Sequence, residues 1–133
     1  MSRMIFVNLP VKDLDASVAF FTELGFTFNP QFTDERATCM VVSEQACVML
    51  LTEGFFRTFS NKKTADTNTH CESILCVSAD SREDVDNLVN TAIAAGGKPT
   101  KDKVVDGPMY GWSFQDIDGH LWEVMYMNSS ALA

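Results

Sequence analysis

The stretch Leu9-Pro10-Val11-Lys12-Asp13-Leu14-Asp15-Ala16-Ser17-Val18-Ala19-Phe20-Phe21-Thr22-Glu23-Leu24-Gly25-Phe26 decides how this chain is read. It begins at the end of an apolar, strand-like run that starts at Met4. Asp13 or Asp15 then offers a side-chain oxygen to the free amides of a helix start. Leu14, Val18, Phe21 and Leu24 recur at helical spacing and form one apolar stripe. Gly25 stands where a helix stop is expected. Three strand candidates follow, Phe26 to Phe32, Ala37 to Val42 and Cys47 to Thr52, separated by Asp34-Glu35-Arg36 and Ser43-Glu44-Gln45.

The second half repeats this order. A strand is predicted over Ser73 to Ser78. A helix then begins near Asp80-Ser81-Arg82-Glu83-Asp84, with Val85, Leu88, Val89, Ala92 and Ile93 as its stripe. Gly96-Gly97 stops it. Strands are expected over Lys98 to Val104, Tyr110 to Asp116 and His120 to Met127, the last two joined through Asp118-Gly119. The helices are placed near 13–24 and 81–95. The reading is an α+β chain of two βαβββ modules, about 4–54 and 71–127, forming one domain over 1–133. One helix per module leaves a sheet face uncovered, so the two modules are expected to curve into a cup-like mixed sheet with helices outside. The linking loop, about 55–70, carries Phe55, Phe56 and Phe59 before a polar run. Long aromatic loops serve as lids or, more commonly, pack their own rings onto the domain.

Bulk composition agrees with a globular chain. Of 133 residues, 46% are hydrophobic and 21% charged. A net charge of −8 disfavours nucleic acid and anionic membrane surfaces, and slightly favours a cationic ligand. No apolar run approaches a membrane span, and the start, Met1-Ser2-Arg3-Met4-Ile5-Phe6-Val7-Asn8, does not read as a secretory leader. The four cysteines, Cys39, Cys47, Cys71 and Cys76, form no C-x-x-C pair, and reduced thiols in a cytoplasm are expected. Hydrolase-triad and phosphate-loop signatures are missing from the sequence.

The opening stretch, with Phe114-Gln115-Asp116-Ile117-Asp118-Gly119-His120-Leu121-Trp122-Glu123-Val124, resembles the opening and closing motifs of the vicinal oxygen chelate superfamily. This is the glyoxalase/bleomycin-resistance/extradiol-dioxygenase group. Ile117 replaces its usual proline. Ser81 to Asp86, Gly96-Gly97 and Met109 to Phe114 further resemble a bacterial branch described as predicted lactoylglutathione lyases.

The resemblance implies a divalent metal bound by one residue from the first and one from the last strand of each module. Carried over by position, those residues are Phe6, Leu50, Ser73 or Ile74, and Glu123. Three of the four cannot act as His, Glu or Asp would, so no metal cofactor is expected, and a classical metal-dependent lyase is disfavoured. His120 is three residues from Glu123, on the opposite strand face, and is read as a turn residue. A His70–Glu123 metal pair is a minority alternative. Glu123 is the catalytic candidate, weighed evenly against a structural role. Asn8, Leu50, Phe56, Tyr110 and Trp112 are the ligand-binding candidates, Asn8 because it shares a strand face with Phe6, and Tyr110 with Trp112 as a stacking surface. Trp122 is read as packing under a helix. Two functions are carried forward: a glyoxalase-like small-molecule enzyme or enzyme relative, and a non-catalytic protein that sequesters an aromatic or cationic ligand in the manner of bleomycin-resistance proteins. The resemblance also implies a homodimer.

Overall fold

The computed structural model describes residues 3–128. The chain divides into two compact units after Thr64, and each carries its own mixed sheet. The fold is α+β.

The first unit runs β1 (Ile5–Val11), α1 (Leu14–Glu23), β2 (Thr27–Asn29), β3 (Ala37–Ser43), β4 (Ala46–Thr52) and α2 (Glu53–Arg57). Its sheet order is β1-β4-β3-β2. β1 pairs with β4 in parallel, and the other pairings are antiparallel. Asp13 caps α1 by accepting the Ala16 amide at 3.1 Å, which ends β1 and starts the helix. Phe20, Phe21 and Leu24 bury the helix's apolar stripe with Leu9, Val11, Met40 and Leu50 in the core. Gly25, at φ 95°, lets the chain leave the helix in a conformation side chains resist.

The second unit repeats the plan: β5 (Ile74–Ser78), α3 (Arg82–Ala94), β6 (Lys98–Pro99), β7 (Val104–Asp106), β8 (Met109–Gln115) and β9 (Leu121–Met127). Its order is β5-β9-β8-β6, with β7 also on β8. The first strand again lies parallel to the last. Ser81 caps α3 through the Asp84 amide at 3.0 Å. Val85, Val89 and Ala92 are fully buried, where α3 lies on β8 and β9.

Three expectations need correction. The strand predicted over Phe26 to Phe32 ends at Asn29, and Pro30–Phe32 forms a 3-10 turn; Pro30 has no amide to donate to a ladder, and the Asn29 side chain caps the turn by accepting the Gln31 amide. The linking loop is not wholly irregular, since it opens with α2. The strand predicted over Lys98 to Val104 is two short pieces, β6 and β7, with Thr100–Lys103 out of the ladder.

Candidate functional site

The closing motif works first as a structural knot. The Asp116 carboxylate accepts the Asp118 amide at 2.9 Å, the His120 amide at 3.0 Å and the Trp122 indole N–H at 2.9 Å. It thereby fastens the β8–β9 turn and fixes Trp122, which stacks on Phe114 with ring centroids 6.3 Å apart. Gly119 sits at φ 84°, and a Cβ there would lie 2.8 Å from the Thr67 hydroxyl. Burial raises the Asp116 carboxyl above its ordinary range, against the lowering effects of His120 and these hydrogen bonds.

The pleat then sorts β8 and β9 into two faces. Tyr110, Trp112 and Phe114 alternate along β8 and pair with Tyr126, Val124 and Trp122. This is the α3 face, because the Tyr110 hydroxyl donates to Asp86 of α3 at 2.7 Å. Lys103 sits 3.1 Å from the Asp86 carboxylate and 4.7 Å over the Trp112 ring. The opposite face carries Met109, Gly111 and Ser113, with Met127, Met125 and Glu123 across from them. Cys76 of β5 lies beside Glu123.

A pocket of about 200 Å³ opens on the Glu123 face. Lys101, Asp102, Val104, Met109, Ser113, Glu123 and Met125 line it. Trp112 and Val124 also border it, and alternation puts their side chains on the other face. A second cavity of about 140 Å³ adjoins the same carboxylate, between Ile74, Thr100, Lys101, Ser113 and Leu121. Glu123 is thus an exposed carboxylate on a largely apolar sheet face with space on two sides.

The predicted site residues separate. Glu123 stands in a pocket. Tyr110 does not: it is 7% exposed and bound to α3, so the expected Tyr110–Trp112 platform lies on the helix side of the sheet and not on the Glu123 side. Trp112 is covered by Lys103. Leu50 is 0% exposed and pairs with Leu9 on the buried face of the first sheet. The error was one of register. Counted from the helix caps, Asn8 and Cys76 each stand five residues before Asp13 and Ser81. Asn8 pairs with Met49 as Cys76 pairs with Glu123. The counterpart of Glu123 is therefore Met49, and the counterpart of Phe6 is Ile74. Asn8 is exposed on the face it shares with Phe6. Phe56 belongs to α2, which packs on β1 and β4; its neighbours Phe55 and Phe59 meet edge to face at 5.0 Å, and Arg36 lies over the Phe55 ring at 4.4 Å.

Sequence reading missed Lys101, Asp102 and Ser113. Lys101 and Asp102 fall inside the strand expected over Lys98 to Val104, and only the pairing register shows that they leave it.

The family described as bleomycin resistance protein-like N-terminal matches residues 3–43. A hypothetical protein, SA1046, from S. aureus has a solved structure that is 30% identical, with 95% of both chains covered and a TM-score of 0.79. The chain is thus similar to bleomycin-resistance-type proteins over its N-terminal third, and its fold is that of solved glyoxalase/bleomycin-resistance/dioxygenase proteins. Two more structures share its fold. A glyoxalase/bleomycin resistance protein/dioxygenase family enzyme from Burkholderia phytofirmans PsJN is 20% identical, over 96% of this chain and 100% of that one, with a TM-score of 0.79. FosX, a genomically encoded fosfomycin resistance protein from Listeria monocytogenes, is 20% identical, over 96% and 93%, with a TM-score of 0.65. No curated protein matches the chain.

The resemblance in sequence raises the question of a metal. The corrected positions are Phe6, Met49, Ile74 and Glu123. Phenylalanine and isoleucine have no lone pair to give, and a thioether is a soft ligand unsuited to hard or borderline ions. Among the described residues no three His, Cys, Asp or Glu side chains converge on one point. Phe6, Met49 and Ile74 thus offer no hard donor to such an ion. Cys76 lies beside Glu123, but two side chains fall short of the three or four ligands such a site needs. Among the described residues no helix is long and apolar enough to cross a membrane.

Proposed function

We propose that this protein is a metal-independent small-molecule-binding member of its superfamily. It holds an aromatic or amphipathic ligand whose cationic or donor group meets Glu123. The observation that carries this reading is the pocket itself: Glu123 stands among Met109, Met125 and Val104, with Asp102 and Lys101 at its border and a second cavity on its other side. Such a surface suits a ligand with apolar bulk and one polar contact. The net charge of −8 draws cations toward it.

Sequestration is favoured over turnover. A proton-transfer enzyme needs an acid or base fixed against the reacting atoms. Here the ionisable groups that line the pocket, Lys101, Asp102 and Glu123, are all exposed. The protein is also expected to form a homodimer, which sedimentation at micromolar concentration tests, and to work in a reducing cytoplasm, which fractionation tests.

The deciding experiment titrates purified protein with phenethylammonium and with neutral phenethyl alcohol, followed by calorimetry. Glu123→Gln should weaken the cation about tenfold, which corresponds to roughly 1.4 kcal/mol, and leave the alcohol unchanged. Equal effects on both ligands, or no binding of either below millimolar concentration, would defeat the proposal.

A further inference from the structure

The edge of the second sheet is interrupted between β6 and β7. Pro99 pairs with Phe114, and Val104 pairs with Gly111. Between these points β8 has two residues, Trp112 and Ser113, whereas the edge has four, Thr100 to Lys103. The surplus cannot lie in the ladder and must arch away from it. Bulges of this kind re-aim side chains and recur beside functional sites.

The four residues of the arch divide between the two faces of the sheet. Lys101 and Asp102 line the pocket beside Glu123, and Lys101 lines the adjoining cavity as well. Thr100 is hydrogen-bonded to Ser113. Lys103 goes the other way. Its ammonium lies between the Asp86 carboxylate of α3, at 3.1 Å, and the face of Trp112, at 4.7 Å. Tyr110 donates to the same carboxylate at 2.7 Å, and Arg82 covers the Tyr110 ring at 5.1 Å. The Asp86 carboxyl is held below its ordinary range, first by Tyr110 and also by Lys103.

We propose that Lys103 is a positioning residue. Its anchorage to Asp86 and Trp112 on the helix side of the sheet holds the Thr100–Lys103 arch over the pocket on the other side, and so places Lys101 and Asp102 against whatever binds at Glu123. The arch is then the specificity element of the pocket. This second consequence rests on the ligand-binding reading above; the anchorage itself does not. A cation–π contact and an ion pair near the surface are each weak, which suits a segment that must settle onto a ligand and also release it.

The test uses the full chain without ligand and compares wild type with Lys103→Met and Lys103→Arg. Methionine keeps the apolar stem and removes the charge, whereas arginine keeps both the ion pair and the ring contact. Amide hydrogen exchange of residues 99–106 should quicken about three- to tenfold in Lys103→Met, the order that these two contacts are worth together. Exchange in β9 should not change. Lys103→Arg should restore wild-type exchange, and the Trp112 emission should shift only in the methionine variant. Titration with phenethylammonium should then show a loss of about threefold or more in Lys103→Met, with rescue by arginine. Unchanged exchange of 99–106 in Lys103→Met would overturn the proposal, as would a failure of arginine to restore it. If wild type does not bind phenethylammonium while the exchange result stands, the ligand reading falls and the anchorage survives.

Discussion

Replacing Asp116 tests the account of the closing motif most directly. The carboxylate is 3% exposed and accepts three N–H groups at 2.9–3.0 Å. Alanine would strand the Trp122 indole N–H, whose residue is 1% exposed, and two amides of the β8–β9 turn. A buried donor left without a partner costs about 1–3 kcal/mol. The turn amides can recover water in part, and the burial of the carboxylate is relieved. The net loss expected for Asp116→Ala is therefore roughly 3–5 kcal/mol. Asparagine keeps one oxygen for the two turn amides but turns an N–H₂ group toward the indole N–H. Asp116→Asn should cost about 1–3 kcal/mol.

The pH dependence of the same group follows from its raised carboxyl. Between the ordinary value of 3.8 and the higher folded value, the folded state keeps a proton that the unfolded state has lost. This contribution to stability is complete below 3.8 and falls as pH rises through that window. The asparagine variant should lack this slope. Urea unfolding followed by tryptophan emission measures all three quantities. An alanine variant within about 1 kcal/mol of wild type, less than a single buried donor is worth, would refute the knot.

Three further outcomes are expected. Gly97→Ala should lower stability by roughly 1–3 kcal/mol, because the new Cβ would lie 2.6 Å from the Gln115 carbonyl oxygen and 2.9 Å from that of Ala92, both main-chain atoms; an unchanged melting temperature would contradict this. Tyr110→Phe should raise the Asp86 carboxyl toward 3.8, since the tyrosine hydroxyl is the largest influence holding it down. The stability that Asp86 contributes, present above 3.8 and lost on acidification, should then shrink, and carboxyl NMR titration reads the shift. Chelator-washed protein should hold far less than one equivalent of nickel, zinc or iron by elemental analysis; a full equivalent that disappears in Glu123→Gln would reverse the metal-independent proposal.

Much of the architecture was legible in the residues themselves. Asp13 and Ser81 cap the helices, the stripes at helical spacing pack inward, and Asp118-Gly119 turns the chain between the last two strands. These are local effects: a cap, a stripe or a turn needs only neighbours within a few positions, so the order of residues is enough to specify it. The duplicated strand–helix–three-strand order follows from the same local signals. Glu123 stood out as the carboxylate retained from the family motif. The sidedness of Tyr110 and the place of Leu50 were not legible, because a one-residue change of register turns every side chain of a strand to the other face. Register is set by pairing between distant segments, here β1 with β4 and β5 with β9. The arch of Thr100–Lys103 depends on the same long-range count. Val104 aligns with Gly111, and nothing within Lys98–Val104 announces that two residues too many separate its ends. Tertiary pairing alone decided that Lys101 and Asp102 border a pocket while Lys103, one position further on, reaches through to the helix.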